Sequence, residues 1–284
     1  MKKFKKYSIL FGALLLGIAL TGCGNKETST SSTGSKDDNN SVKEVVIGVC
    51  PGPYGDMVEK VISPLTEEKG YKLTTKLFND YIQPNKALNS KNIDGNLFQH
   101  QNYLTKFAED NKLDIQSIGV VPTLGMGIYS KKIDKLSDIK DGTVVSLPND
   151  ASNLARALKL LADNDLITIN DLIDETKATV DDIKENKHNL EFKPLESAQL
   201  SRSLDNVDVA LIPGNYSWAA KLDPADALVL EQLEENYKNV FAVRNDEVDG
   251  EFGKVMREVL ASQEFKDAIS KSDFKDFEKP ESWK

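Results

Sequence analysis

The chain has 284 residues and a formal net charge of −9, from 36 basic and 45 acidic residues. Such an acidic balance argues against nucleic acid, anionic lipid or a polyanionic ligand as partner. Two histidines and two cysteines, with no H-E-x-x-H and no G-x-S-x-G, give no support to a transition-metal site or a catalytic triad.

The N-terminus carries an address. Lys2, Lys3, Lys5 and Lys6 form a basic segment, and Tyr7 to Leu20 runs apolar without a charge, short of the ~20 residues that a membrane span needs. Leu20-Thr21-Gly22-Cys23 closes it, an order that resembles the bacterial lipobox, in which the chain is cut before the cysteine and the thiol carries the lipid. Residues 1–22 are therefore expected to be a lipoprotein signal peptide. Cys23 is expected to carry the lipid, palmitate included, that tethers the chain to the extracytoplasmic face of the cell membrane. Cleavage removes four lysines and no acid, moving the formal charge from −9 to −13. Residues 23–41, rich in Ser, Thr, Gly, Asp and Asn, cannot bury enough apolar surface to offset their ordering entropy and read as a flexible spacer. With Cys23 lipidated, Cys50 has no partner for an internal disulfide. At the end of an apolar run it reads as a small buried hydrophobe, without chemistry of its own.

From Val42 onward the chain is globular material for one large or two medium domains. Val45 to Val49 reads as a buried strand, Asp56 to Lys69 as an amphipathic helix and Lys72 to Phe78 as a second strand, a β-α-β opening. Gln83 to Asn89 gives a short helix, Leu97-Phe98 a strand end, Tyr103 to Asp110 a helix and Ile115 to Thr123 a strand. Val144 to Leu147, Leu154 to Ala162, Glu191 to Leu195, Gln199 to Leu204 and Val207 to Ile212 continue the alternation, which implies helices packed on mostly parallel sheets. Extended segments at 127–130 and 239–243 read as crossings between two lobes. The expected fold is α/β and two-lobed, of the periplasmic-binding-protein-like (type II) kind with two crossover strands. Residues 42–128 and 238–284 would form lobe 1, and 129–237 lobe 2.

In open α/β sheets ligands sit beyond the carboxyl ends of the strands. The loops there hold Pro51-Gly52-Pro53-Tyr54, then Asp80-Tyr81-Ile82, then Phe98-Gln99-His100-Gln101-Asn102-Tyr103. Each ring alone suits a core as well as a pocket, but rings at consecutive strand ends suggest an apolar slot. In the second half Pro148-Asn149-Asp150-Ala151-Ser152-Asn153 opens a helix with apolar positions Leu154, Ala157, Leu158 and Leu161. Arg156 falls off that stripe, and the pattern allows either an arginine on a solvated face or a guanidinium offering a two-pronged match to a carboxylate. Asn215, in Pro213-Gly214-Asn215-Tyr216, carries both a donor and an acceptor. Rings on one lobe with Arg and Asn on the other suit a small zwitterion with an apolar side chain, an amino acid.

With these loops in place the chain resembles the MetQ/NlpA family, lipoproteins that deliver methionine to ABC importers. The resemblance runs from Val45 to the C-terminal helix, through I-G-V-x-P-G-P, F-N-D-Y-I-Q-P-N-K-A-L, I-D-G-N-L-F-Q-H-Q-N-Y-L, M-G-I-Y-S-K-K-I, L-P-N-D-x-S-N-x-A-R-A-L, L-E-S-A-Q-L-S-R-S-L-D-N-V-D and G-N-Y. It implies that Tyr81, Phe98, His100 and Tyr103 line a side-chain pocket, that Arg156 holds the carboxylate, and that Asn153 and Asn215 hold the head group. The chain departs from the family pattern at Tyr54, where histidine is common, and at Ala151, Leu154 and Ala155, where proline and Glu-Gly are usual. The family also includes binders of D-methionine and of methionine-containing dipeptides. The resemblance implies a monomeric substrate-binding protein without cofactor or catalysis, whose partners are methionine or a related small ligand and an ABC permease. Because the chain lacks G-x-x-x-x-G-K-[ST], a separate ATPase must drive transport. A surface lipoprotein acting mainly in adhesion is the alternative from another class.

Overall fold

The computed structural model describes residues 42–170 and 175–284; the signal segment, Cys23 and the spacer lie outside the described residues. Strand β1 (Lys43–Val49) leads through Pro51-Gly52-Pro53 into helix α1 (Tyr54–Met57). A π-helical turn, Val58–Ile62, joins α1 to α2 (Ser63–Glu67). The sequence suggests one regular helix here, but Pro64 has no N–H to give to residue 60 and its ring would crowd that carbonyl. The turn before it widens instead. Then follow β2 (Tyr71–Leu77), α3 (Gln83–Asn89), β3 (Gly95–His100), α4 (Gln101–Asn111) and β4 (Ile115–Val120).

The second lobe contains β5 (Gly127–Tyr129), β6 (Val144–Pro148), α5 (Ala151–Ala162), β7 (Ile167–Ile169), β8 (Ile183–Asn186), β9 (Glu191–Leu195), α6 (Leu200–Ser203), β10 (Val209–Ile212), α7 (Gly214–Ala219) and β11 (Val229–Leu230). The chain then returns through β12 (Asn239–Arg244), α8 (Glu251–Ala261) and α9 (Gln263–Ser270). Among the described residues these strands build two five-stranded sheets, in the orders β2-β1-β3-β12-β4 and β11-β5-β10-β6-β9, with β7 and β8 forming a separate antiparallel pair.

β1 runs parallel to β2 and β3, whereas the returning β12 lies antiparallel between β3 and β4. Every residue of β3 and β12 is buried, as central strands covered on both faces require. Val49, Leu97, Phe241 and Val243 pack against Met57 and Ile62 on one helix and Phe252, Met256 and Leu260 on another. In the second sheet Val145, Leu147, Val209 and Leu211 pack against Leu158 and Leu161 of α5.

The chain passes between the sheets at 121–126 and again at 231–238, adjoining the extended segments 127–130 and 239–243, whose strands belong to the sheets themselves. The two connections run side by side. Val121 N donates to Asn239 O at 2.8 Å, Asn239 N to Thr123 Oγ1 at 2.7 Å and Glu231 N to Met126 O at 2.9 Å. The tail after α9 also reaches α7: Trp218 packs against Phe274 and Phe277, with ring centroids 6.3 and 5.4 Å away.

Leu158 is fully buried at the centre of the second lobe. Leu158→Ala should cost about 2–5 kcal/mol through lost burial and the cavity left behind. Urea unfolding followed by circular dichroism checks this, and a loss below ~1 kcal/mol would contradict the packing described.

Candidate ligand-binding site

The carboxyl ends of the strands from both sheets converge on a cavity of ≈ 340 Å³, mouth included, lined by Tyr54, Tyr81, Phe98, Gln99, His100 and Tyr103 from one side and by Asn153, Arg156, Gly214 and Asn215 from the other. The space enclosed among these side chains is ≈ 20 Å³, room for about one water, so they pack closely against one another. All seven residues singled out from the sequence line it.

On the lobe 1 side, Asp80 Oδ1 accepts the backbone N–H groups of Ile82 and Gln83, both at 2.8 Å. This tight local turn lifts Tyr81 over the strand ends. The Tyr81 ring then lies 5.8 Å from Phe98, 5.7 Å from Tyr103 and 5.3 Å from Tyr216, centroid to centroid. The clustered rings therefore form one wall. Cys50 packs behind Phe98 and Tyr103 and donates to Asp80 O at 3.3 Å; burial pushes its thiol up, so it stays protonated and inert.

His100 caps α4. Its Nδ1 accepts the Tyr103 N–H at 3.1 Å, so the proton of the neutral ring sits on Nε2, which donates to Asn153 Oδ1 at 3.1 Å. Burial, reinforced by the Arg156 charge, lowers the His100 pKa to about 3 and keeps the ring neutral. Beneath the wall, Asn85, Asn96 and Gln99 close a buried amide network. Asn85 donates to Gln99 Oε1 at 2.6 Å, and Gln99 Nε2 returns to Asn85 Oδ1 at 2.7 Å and Asn96 Oδ1 at 3.0 Å.

On the lobe 2 side the cavity is built on the first turns of α5. Asp150 is the N-cap, with Oδ1 accepting the Asn153 N–H at 3.0 Å. The Asn153 amide donates back to both Asp150 oxygens, at 3.1 and 3.2 Å, so its Oδ1 faces His100. Burial raises the Asp150 pKa. Arg156 lies three residues on from Asn153, hence on the same face of the helix.

Arg156 is not on a solvated face. It is 5% exposed and makes a bidentate pair with Glu231, with Nε to Oε1 at 2.8 Å and Nη2 to Oε2 at 2.5 Å. Its Cζ stands 5.1 Å from the centroid of Tyr237, whose ring meets His100 at 5.3 Å. The two-pronged fork thus serves the protein's own carboxylate, and Nη1 is the donor these bonds leave over. Burial works against the guanidinium charge, but Glu231 outweighs it and raises the Arg156 pKa.

Asn215 ties the lobes together at the opposite corner. Its Oδ1 accepts the Tyr81 hydroxyl at 2.6 Å, and its Nδ2 donates to Pro51 O at 2.9 Å. Two neighbouring glycines make this approach possible. Gly52 has φ +139°, and a Cβ there would stand 2.7 Å from Asn215 Cβ; a Cβ on Gly214 would fall 2.1 Å from Leu124 O.

Glu231, Tyr237 and the hydrogen bonding of Asn85 and Asn96 with Gln99 are features of the site that the sequence pattern does not single out. Only the position of the amides inside otherwise apolar or aromatic motifs could have drawn attention to the last. Among the described residues no group of three or more His, Cys, Asp or Glu side chains could hold a metal ion, and no helix is long and apolar enough to cross a membrane.

A two-lobed α/β chain with a polar-and-aromatic cavity between its lobes has the architecture of a substrate-binding protein. Residues 45–282 match the profile of the NlpA lipoprotein family, and the chain belongs to that family. It is 35% identical to the methionine-binding lipoprotein MetQ of Bacillus subtilis (strain 168), over 93% of this chain and 95% of that protein. It is also 35% identical to the D-methionine-binding lipoprotein MetQ of Escherichia coli (strain K12), over 95% of each. A nutrient-binding protein from Burkholderia cenocepacia, solved bound to methionine, superposes with a TM-score of 0.76 and 38% identity, over 82% of this chain and 97% of that one.

Two outcomes follow from the geometry. His100 takes up a proton at about pH 6.5 when unfolded but only near 3 when folded, so its contribution to stability is complete above ~6.5 and is lost as pH falls. Stability profiles of wild type and His100→Asn, which keeps an acceptor for the Tyr103 N–H, should converge by about 2 kcal/mol between pH 7 and pH 5. Parallel profiles would contradict a buried neutral imidazole. Gly52→Ala should destabilise the chain by about 1–3 kcal/mol by driving Asn215 off Pro51, a loss that thermal unfolding reads directly. An unchanged melting temperature would refute the close approach.

Proposed function

We propose that this chain is the substrate-binding component of an ABC importer, that it captures L-methionine outside the cytoplasmic membrane, and that it hands the amino acid to a permease. The observation that carries the reading is the cavity's division of chemistry. A wall of rings faces a guanidinium and two amides, in a family whose relatives are named for methionine.

The slot bounded by Tyr81, Phe98, His100 and Tyr103 would take the thioether. An unbranched, polarizable chain fits among rings, and sulfur at aromatic edges contributes roughly 0.3–1.5 kcal/mol. A branched leucine would clash there, and a glutamine amide would be buried without assured partners. Arg156 would hold the carboxylate through Nη1, while Asn153 and Asn215 would use their remaining lone pairs and protons for the head group. Because Asn153 and Asn215 already bond across to His100, Tyr81 and Pro51, a ligand held by them would sit where the lobes are clasped. Cys23 would carry the lipid, 23–41 would be the tether, and the two lobes, joined by the connections at 121–126 and 231–238, would work as a monomer. The chain would do no chemistry on its ligand: His100 spends one ring nitrogen on the Tyr103 amide and the other on Asn153, leaving no free base.

A thermal-shift panel on ligand-stripped protein tests the assignment. Free ligand at about 100 times its dissociation constant stabilises the fold by about 2.7 kcal/mol. L-Methionine should shift the melting temperature more than leucine, glutamine or alanine, and D-methionine and glycyl-methionine identify the stereochemistry and length the cavity accepts. A shift from another amino acid with none from any methionine compound would overturn the ligand; no shift from any small molecule would favour the adhesion reading.

A further inference from the structure

The group that decides how Arg156 meets a ligand is a second carboxylate, Glu231, which stands outside the cavity lining. Glu231 is 9% exposed at the side chain and is fixed from three directions. Oε1 accepts from Arg156 Nε at 2.8 Å, Oε2 accepts from Arg156 Nη2 at 2.5 Å and from the Met126 backbone N–H at 2.9 Å, and its own N–H donates to Met126 O at 2.9 Å. The residue therefore belongs to both connections between the lobes while it occupies one whole edge of the guanidinium. Tyr237 covers a face of that guanidinium. Asp150, the other acid close by, stands behind Asn153 and adds negative rather than positive potential.

We infer that Glu231 is a specificity-determining positioning residue: by clamping the Nε/Nη2 edge of Arg156 and cancelling its charge, it makes the site select a zwitterion and reject an anion of the same shape. A buried charge needs a partner inside the protein. A carboxylate-only ligand entering a site already balanced by Glu231 leaves one negative charge without a counterion. A zwitterion brings its own. Without Glu231, Arg156 is the uncompensated charge, and an anion becomes the better match. The inference rests on the methionine reading and adds the charge rule by which the site would discriminate.

The test pairs L-methionine with its hydroxy analogue, 2-hydroxy-4-(methylthio)butanoate, which keeps the carboxylate and thioether and replaces the ammonium by a hydroxyl. Titration of wild type and Glu231→Gln with both gives two preference ratios. Wild type should prefer methionine and the variant should lose at least tenfold of that preference, whereas a purely structural role would weaken both ligands alike. A ratio unchanged within a factor of two overturns the inference, and absence of methionine binding by the wild type overturns the ligand reading separately. A second measurement needs no variant: the Arg156 Nε–H resonance should stay protected from solvent exchange with and without methionine, and its loss of protection on binding would show that the ligand displaces Glu231.

Discussion

A guanidinium that is 5% exposed has to be paired, and in this chain the partner is Glu231, 75 residues further on. Much of the site's geometry follows from that constraint. The pair holds the cavity face of α5 against the second connection between the lobes, Tyr237 closes over it, and His100, packed on Tyr237, stays neutral beside the positive charge. Removing one partner of such a pair leaves an uncompensated buried charge and is expected to cost about 3–5 kcal/mol, far more than a surface ion pair. The ion pairs elsewhere on the surface, such as Lys43–Glu251 with both side chains exposed, carry little by comparison.

The same economy governs the amides. Asn153 and Asn215 each bond to a lobe 1 ring residue, His100 and Tyr81, so the groups best suited to an amino-acid head group are also those that join the lobes. Binding and closure would then draw on one set of hydrogen bonds, and a ligand would favour this arrangement of the lobes only by as much as it binds it better than an open one. The lobes are further held by Trp218 against Phe274 and Phe277, an apolar contact outside the cavity.

How far the sequence foretold this depends on how local each feature is. Strand β9 spans Glu191–Leu195, as its pattern suggests, and the wall of rings is legible because Tyr81 follows β2, Phe98 and His100 end β3 and Tyr103 opens α4, all near successive strand ends. The helix after β1 is less regular than its apolar periodicity suggests, because one proline redirects a hydrogen-bond ladder that periodicity does not register. β7 and β8, of three and four residues, are too short to show a period in the sequence. Glu231 was invisible for another reason. It lies in L-E-Q-L-E-E-N, a run that reads as a solvated acidic face, and only folding across the connections shows which of those acids meets Arg156.

On the proposed reading, methionine lies in the cavity between the rings of lobe 1 and Arg156, Asn153 and Asn215 of lobe 2. A crystal structure of the ligand-stripped chain soaked with L-methionine tests it most directly. The thioether should lie among Tyr81, Phe98 and Tyr103 and the carboxylate on Arg156 Nη1, with Glu231 still on the opposite edge. Methionine bound elsewhere, or with its carboxylate in the place of Glu231, would contradict it.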